Sequence, residues 1–125
     1  MFSDSIETYR EKVNIVCDAK IYKGCAISVA KGADGDVRLA SAQAADELLT
    51  LENVKASFVI YESSGKICIS ARSFGAVNVQ IIMEKLGGGG HQTMSATQLS
   101  DINKEQALKM LIDVIDTNLE DASCK

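Results

Sequence analysis

Four consecutive glycines, Gly87 to Gly90, followed at once by the only histidine, His91, constrain this chain more than any other feature. Glycine loses more backbone freedom on folding than any other residue, so a run of four inside a domain needs a physical reason. One reason is a connector, where a left-handed glycine ends a helix and a flexible turn follows; two glycines would suffice for that. The other is a surface where a ligand touches the main chain, with no Cβ in the way and several N–H groups turned toward phosphate oxygens or a base edge. His91 would stand beside that backbone as a donor to a phosphate oxygen, although a lone histidine also serves structural roles.

The 125 residues, 46% apolar and 24% charged, suit one domain with a packed core, a sheet with helices on it. A net charge of −4 argues against a protein that coats nucleic acid by bulk electrostatics. Residues 65–98 run against that balance: Lys66, Arg72 and Lys85 oppose only Glu84, an excess of +2 that leaves −6 elsewhere. An acidic body with one mildly basic segment suits a small anionic ligand better than a long polyanion, ordinary surface scatter being the alternative. Cys17, Cys25, Cys68 and Cys124 form no CxxC pair, which points to a reduced, cytoplasmic setting, with Cys25 and Cys68 as small core side chains. Met1-Phe2-Ser3-Asp4 carries no signal sequence, and no apolar run reaches the roughly 18 residues of a membrane span. Metal-assisted hydrolysis needs several carboxylates or histidines on one ion, and no Asp/His cluster is visible. Asp34 and Asp36 read as turn residues around Gly35 rather than ligands.

Helical spacing of Ile6, Tyr9, Val13, Val16 and Cys17 predicts an amphipathic helix over residues 5–18. Alternation at Cys25, Ile27 and Val29, the turn Asp34-Gly35, and then Val37 and Leu39 predict a β-hairpin. A short helix is expected over 42–51. The run 56–62, apolar on both faces at Phe58 to Tyr61, predicts a central strand that turns at Ser63-Ser64-Gly65-Lys66 into a second, Ile67 to Arg72. Asn78 is placed to cap a helix through Leu86, with Val79, Ile82, Met83 and Leu86 inward and Gly87 as terminator. Ser95 to Leu99 form a last strand, and Asn103 caps a helix carrying Leu108, Leu111, Ile112, Ile115 and Leu119. The expected fold is α/β (α+β): a single domain with a mixed sheet of about five strands and helices packed on it.

Three further residues gather near the glycine run. Arg72 closes a strand, where its guanidinium suits bidentate phosphate binding, a solvated arginine being the alternative. Ser73 follows it. Asn78 opens a helix whose first N–H groups are a second candidate anion surface, against the plainer role of an N-cap.

The segments Ala56-Ser57-Phe58-Val59-Ile60-Tyr61, Ile69-Ser70-Ala71-Arg72-Ser73, Asn78-Val79-Gln80, Ile82-Met83-Glu84-Lys85-Leu86 and Gly87 to His91 together resemble the DHH-associated domain of the GdpP (YybT-like) cyclic di-AMP phosphodiesterases, in the DHH phosphoesterase superfamily. Gln43-Ala44-Ala45-Asp46 is similar to another stretch of that family, and the resemblance extends over roughly residues 15–118. The glycine-histidine loop alone is shared with RecJ-type exonucleases and nanoRNA hydrolases; the run through Met83-Glu84-Lys85-Leu86 favours the GdpP branch.

The resemblance implies a division of labour. An N-terminal DHH domain holds two manganese ions and performs hydrolysis, while the associated domain closes over a cyclic di-AMP or linear dinucleotide substrate. Residues 1–20 would then be the connector helix from the DHH domain, 21–120 the substrate-binding domain and 121–125 a frayed tail. Gly87, Gly88, Gly89, Gly90 and His91 would contact nucleotide, with Arg72 and Ser73 as phosphate or base contacts and Asn78 as a further one. Neither the Asp-His-His motif nor the manganese ligands have a counterpart in these residues, so no catalytic or metal-binding residue is expected in this chain. The family's parent proteins carry membrane helices and sensory domains, with this domain on the cytosolic side. Two other readings stand beside this one: a single-stranded nucleic-acid-binding module of a RecJ-like exonuclease or nanoRNA hydrolase, disfavoured by the negative charge and few aromatics, and a folding unit that forms a homodimer.

Overall fold

The computed structural model describes the backbone of residues 5–123 and side chains through residue 118; Met1 to Asp4, the side chain of Leu119, and Cys124 lie outside the described residues. The chain runs α1 (Ile6–Asp18), β1 (Lys20–Tyr22), β2 (Cys25–Ala33), α2 (Val37–Leu48), β3 (Ala56–Ser63), β4 (Lys66–Ser73), α3 (Val79–Lys85), β5 (Gly89–Gly90), β6 (Met94–Leu99) and α4 (Lys104–Ser123). The strands form one mixed sheet in the order β1-β2-β3-β4-β6-β5, with β2 and β3 parallel and every other pair antiparallel.

Residue alternation on the central strands divides the core in two. Phe58, Ile60, Ile67 and Ile69 face α3 and α4, where Val79, Ile82, Met83, Ala107, Leu111 and Ile115 close over them. Val59, Tyr61 and Cys68 face α1 and α2, packing on Ile15, Val37, Ala44, Ala45 and Leu48. The sheet is thus buried on both sides at its centre, as the doubly apolar run in β3 predicts. Cys25 and Cys68 are buried core side chains, as expected. Asn78 accepts hydrogen bonds from the N–H groups of Gln80 and Ile81. Asn103 and Gln106 form a reciprocal capping box at the start of α4.

Three expectations change. Residues 25–39 are not a hairpin: Asp34-Gly35 leads from β2 into α2, so Val37 and Leu39 are helical and α2 covers 37–48 rather than 42–51. The hairpin lies one strand earlier, where Lys23 and Gly24, both at positive φ, turn β1 into β2. Asp34 still serves the turn, accepting from the Ser64 N–H at 2.7 Å.

The stripe read on α1 is also misphased. Thr8 and Ile15 are the buried positions, while Ile6 and Tyr9 are more than half exposed. Polar contacts set the phase: Thr8 donates to Asp36 at 2.8 Å and Lys12 pairs with Glu47 at 3.8 Å, both partners at or in α2. Finally, the sheet has six strands, because part of the glycine run is itself a strand.

Candidate functional site

The glycine run does three jobs in sequence. Gly87, at φ +87°, ends α3 in a Schellman arrangement: its N–H donates to the Glu84 carbonyl at 3.0 Å and the Gly88 N–H to the Met83 carbonyl at 2.8 Å. Gly88 then passes so close to β6 that a Cβ would collide with the Ala96 carbonyl and the Thr97 side chain. Gly89 and Gly90 pair with Ala96 and Ser95 as edge strand β5, and a Cβ on Gly90 would lie 2.6 Å from the Met94 carbonyl oxygen. At Gly87 and Gly89 the position of a Cβ opens on empty space, and of these two only Gly87 is held at positive φ.

This qualifies the expectation of several N–H groups converging on a ligand. Those of Gly87, Gly88 and His91 are spent within the chain, the last on the Met94 carbonyl at 2.6 Å. His91 opens the tight turn from β5 to β6, its own carbonyl accepting from the Ser95 hydroxyl at 2.6 Å, and its residue is exposed. The turn holds the imidazole at the rim of the sheet.

The other predicted residues are brought to the same end of the sheet. Arg72 pairs across the ladder with Met94, three residues after His91. The Ser73 N–H donates to the Thr93 carbonyl, and the buried Ser73 hydroxyl lies 2.7 Å from the Val77 carbonyl and 3.2 Å from that of Gln92 while accepting from the Gly75 N–H. Ser73 therefore laces the loop 74–78 to the turn 91–94, its hydroxyl proton committed within the chain. The start of α3 is closed in the same way: Asn78 caps Gln80 and Ile81, and the Val79 N–H donates to the Gln92 carbonyl at 3.1 Å. Asn78 is an N-cap, and the N–H groups of Val79, Gln80 and Ile81 are hydrogen-bonded within the chain.

Arg72 is neither solvated nor unpartnered. Its Nε donates to Asp46 Oδ1 at 3.0 Å and its Nη1 to the Ala71 carbonyl at 3.0 Å; its side chain is 13% exposed, that of Asp46 65%. These two bonds hold the guanidinium between β4 and α2. Asp46 closes the stretch Gln43-Ala44-Ala45-Asp46, where sequence reading assigned it no role. The signal was there in outline: Arg72 falls on the β4 face turned toward α2.

A second residue missed is Phe74, 71% exposed in the loop that Ser73 anchors, with Met94 also exposed nearby in sequence register. An exposed aromatic ring two residues from Arg72 in sequence is a candidate stacking surface for a base. Among the described residues no three of His, Cys, Asp or Glu gather as metal ligands. Around Arg72 and His91 the arrangement is one of cation, backbone and ring.

A mixed sheet between two helical layers, edged by a glycine hairpin that ends in histidine, defines the class: residues 23–119 match the DHHA1 domain, and the chain belongs to that family. Its relatives are more particular. The chain is 45% identical over 115 residues to the cyclic-di-AMP phosphodiesterase PdeA of Listeria monocytogenes, an alignment covering 90% of this chain and 18% of that protein. It is 44% identical over 118 residues to the cyclic-di-AMP phosphodiesterase GdpP of Geobacillus thermodenitrificans, covering 92% and 18%. Among solved structures, an exopolyphosphatase-related protein from Bacteroides fragilis shares the fold with a TM-score of 0.79 at 21% identity, over 92% of this chain and 36% of that one. The chain thus spans about a fifth of the length of its curated relatives.

Proposed function

We propose that this chain is the substrate-binding domain of a DHH-type phosphodiesterase that opens cyclic di-AMP or a related linear dinucleotide. The observation that carries the reading is identity of 44–45% to two cyclic-di-AMP phosphodiesterases across nine-tenths of the chain, through every element that builds the Arg72–His91 end. In the parent protein, α1 connects to a DHH half on the N-terminal side, where manganese held by aspartates and histidines would supply the activated water. The residues of this chain bind and orient. Arg72, fixed by Asp46, neutralises a phosphate through the N–H donors that its bonds to Asp46 and the Ala71 carbonyl leave over. Gly89 admits the ligand to van der Waals contact with the main chain, His91 donates from the rim, and Phe74 stacks on a base. The parent's membrane anchoring belongs to the same proposal.

Titration of the chain with cyclic di-AMP and with its linear product, followed by amide NMR, tests this. The expected result is saturable movement of the Gly89, Gly90 and His91 signals, weakened several-fold by Arg72→Ala and by His91→Ala. Unmoved signals at saturating nucleotide would remove the assigned role. Affinity that rises with oligonucleotide length and falls steeply with salt would replace it with single-stranded nucleic-acid binding.

A further inference from the structure

The Arg72 end is only half of an open surface. On this side of the sheet α1 and α2 cover β2, β3 and β4, but Ala96 and Gln98 of β6 stay exposed. What remains is a trough with α2 as its wall and β4, β6 and the glycine strand as its floor. Away from Arg72 it deepens into a hollow of about 380 Å³ lined by Arg38, Tyr61, Cys68, Gly88, Ala96 and Gln98, among others, with no carboxylate in its lining. Arg38, exposed on the first turn of α2, has no ion-pair partner among the described residues, in contrast to Arg72. Arg38 lines this hollow together with Tyr61 and Cys68, and its charge favours the ionised form of both, against the larger effect of their burial.

The spacing of the two arginines follows from element geometry. Arg38 and Asp46 stand near opposite ends of α2, about 12 Å apart along its axis. Cys68 and Arg72 are about 13 Å apart along β4. Helix and strand thus run alongside each other, with a guanidinium at each end of the trough. A single phosphate cannot touch both. Each guanidinium presents the planar fork that matches phosphate oxygens.

Resting on the nucleotide-binding reading above, we propose that Arg38 is a second phosphate subsite, so that a dinucleotide bearing two phosphates lies lengthwise in the trough with one phosphate at each arginine.

The experiment compares two ligands by calorimetric titration of the chain: linear di-adenosine carrying a 5′-phosphate, with two phosphates, and AMP, with one. Arg38→Ala should weaken the dinucleotide about tenfold, as expected for loss of a charge-assisted contact, and leave AMP unchanged. Arg38→Lys should recover part of the loss, and Arg72→Ala should weaken both ligands. Melting curves establish that the Arg38 variants are folded. If Arg38→Ala binds the dinucleotide like the parent chain while Arg72→Ala does not, the second subsite is wrong and the nucleotide-binding reading stands. Equal weakening of both ligands by Arg38→Ala overturns the lengthwise arrangement. No saturable binding of either ligand by the unsubstituted chain overturns both proposals.

Discussion

Adjacent glycines in this chain have opposite tolerances. At Gly88 a Cβ would meet the Thr97 side chain at 2.5 Å as well as the neighbouring carbonyl, contacts made by main chain and strand interior that cannot swing aside. At Gly89 nothing stands in the way. Gly88→Ala is therefore expected to destabilise the fold by about 1–3 kcal/mol, the usual range for forced overpacking, and Gly89→Ala by less than about 1 kcal/mol. Urea unfolding of the two variants measures this, and a stable Gly89→Ala protein with weakened nucleotide binding would isolate the ligand's demand on that position. The cysteines offer an independent check on burial. Desolvation pushes the Cys25 thiol up to about 11, so alkylation near neutral pH should spare Cys25 and reach Cys17, which is exposed. Mass spectrometry of the native protein reads the pattern, and early labelling of Cys25 would contradict the packing described.

Among the elements, the loop 74–78 and the hairpin turn 91–94 are held as one unit by Ser73. Its hydroxyl is buried and satisfied on both sides, and removing it strands the Gly75 N–H and the Val77 carbonyl. Ser73→Ala should cost about 1–3 kcal/mol and broaden or shift the amide signals of residues 74–78 and 91–94 together. A response confined to one segment would show that the two are not coupled. Helix α2 holds Arg72 through Asp46 in a comparable way. Asp46→Asn keeps the shape and removes the charge; because the carboxylate is well exposed, stability should change little, whereas nucleotide affinity should change through the freed guanidinium. Titration of this variant beside Arg72→Ala distinguishes the two effects, since a purely structural Asp46 would leave affinity where it was.

For the molecule as a whole, α4 is tied back to the edge hairpin by Tyr22, which donates to Asp116 at 2.6 Å, and by Lys23, 2.8 Å from the same carboxylate. The Tyr22 phenol is raised, chiefly by its hydrogen bond to Asp116, so its share of stability is present below the ordinary phenol value and lost as pH rises through the raised one. The Asp116 carboxyl is lowered, chiefly by Lys23 and then Tyr22, so its share is present above the ordinary carboxylate value and lost as pH falls through the lowered one. The stability advantage over Tyr22→Phe should therefore be largest near neutral pH and shrink at both extremes, as unfolding midpoints across pH can show; a pH-independent difference would mean the bond is not formed.

What the sequence by itself determined is whatever depends on local chemistry. The central hairpin β3–β4, the Asn78 cap, the Gly87 terminator and the final amphipathic helix are written in residues that neighbour one another, and the segments from Ala56 to His91 carry the family. Long-range packing decided the rest. The phase of α1 depends on which face meets Asp36 and Glu47, and the helical state of Val37 and Leu39 on the crossover that β2 and β3 require to run parallel. Why the glycine run needs more than a connector's glycines is likewise a matter of contact: Gly88 and Gly90 lie against a strand still to come in the chain, and no spacing within the run reveals that. The same holds for the site. Arg72 and His91 were legible as residue types, but that Asp46 fixes one of them, that Ser73 and Asn78 are consumed in building the loops, and that Arg38 faces the same trough follows only once helix and sheet are brought together.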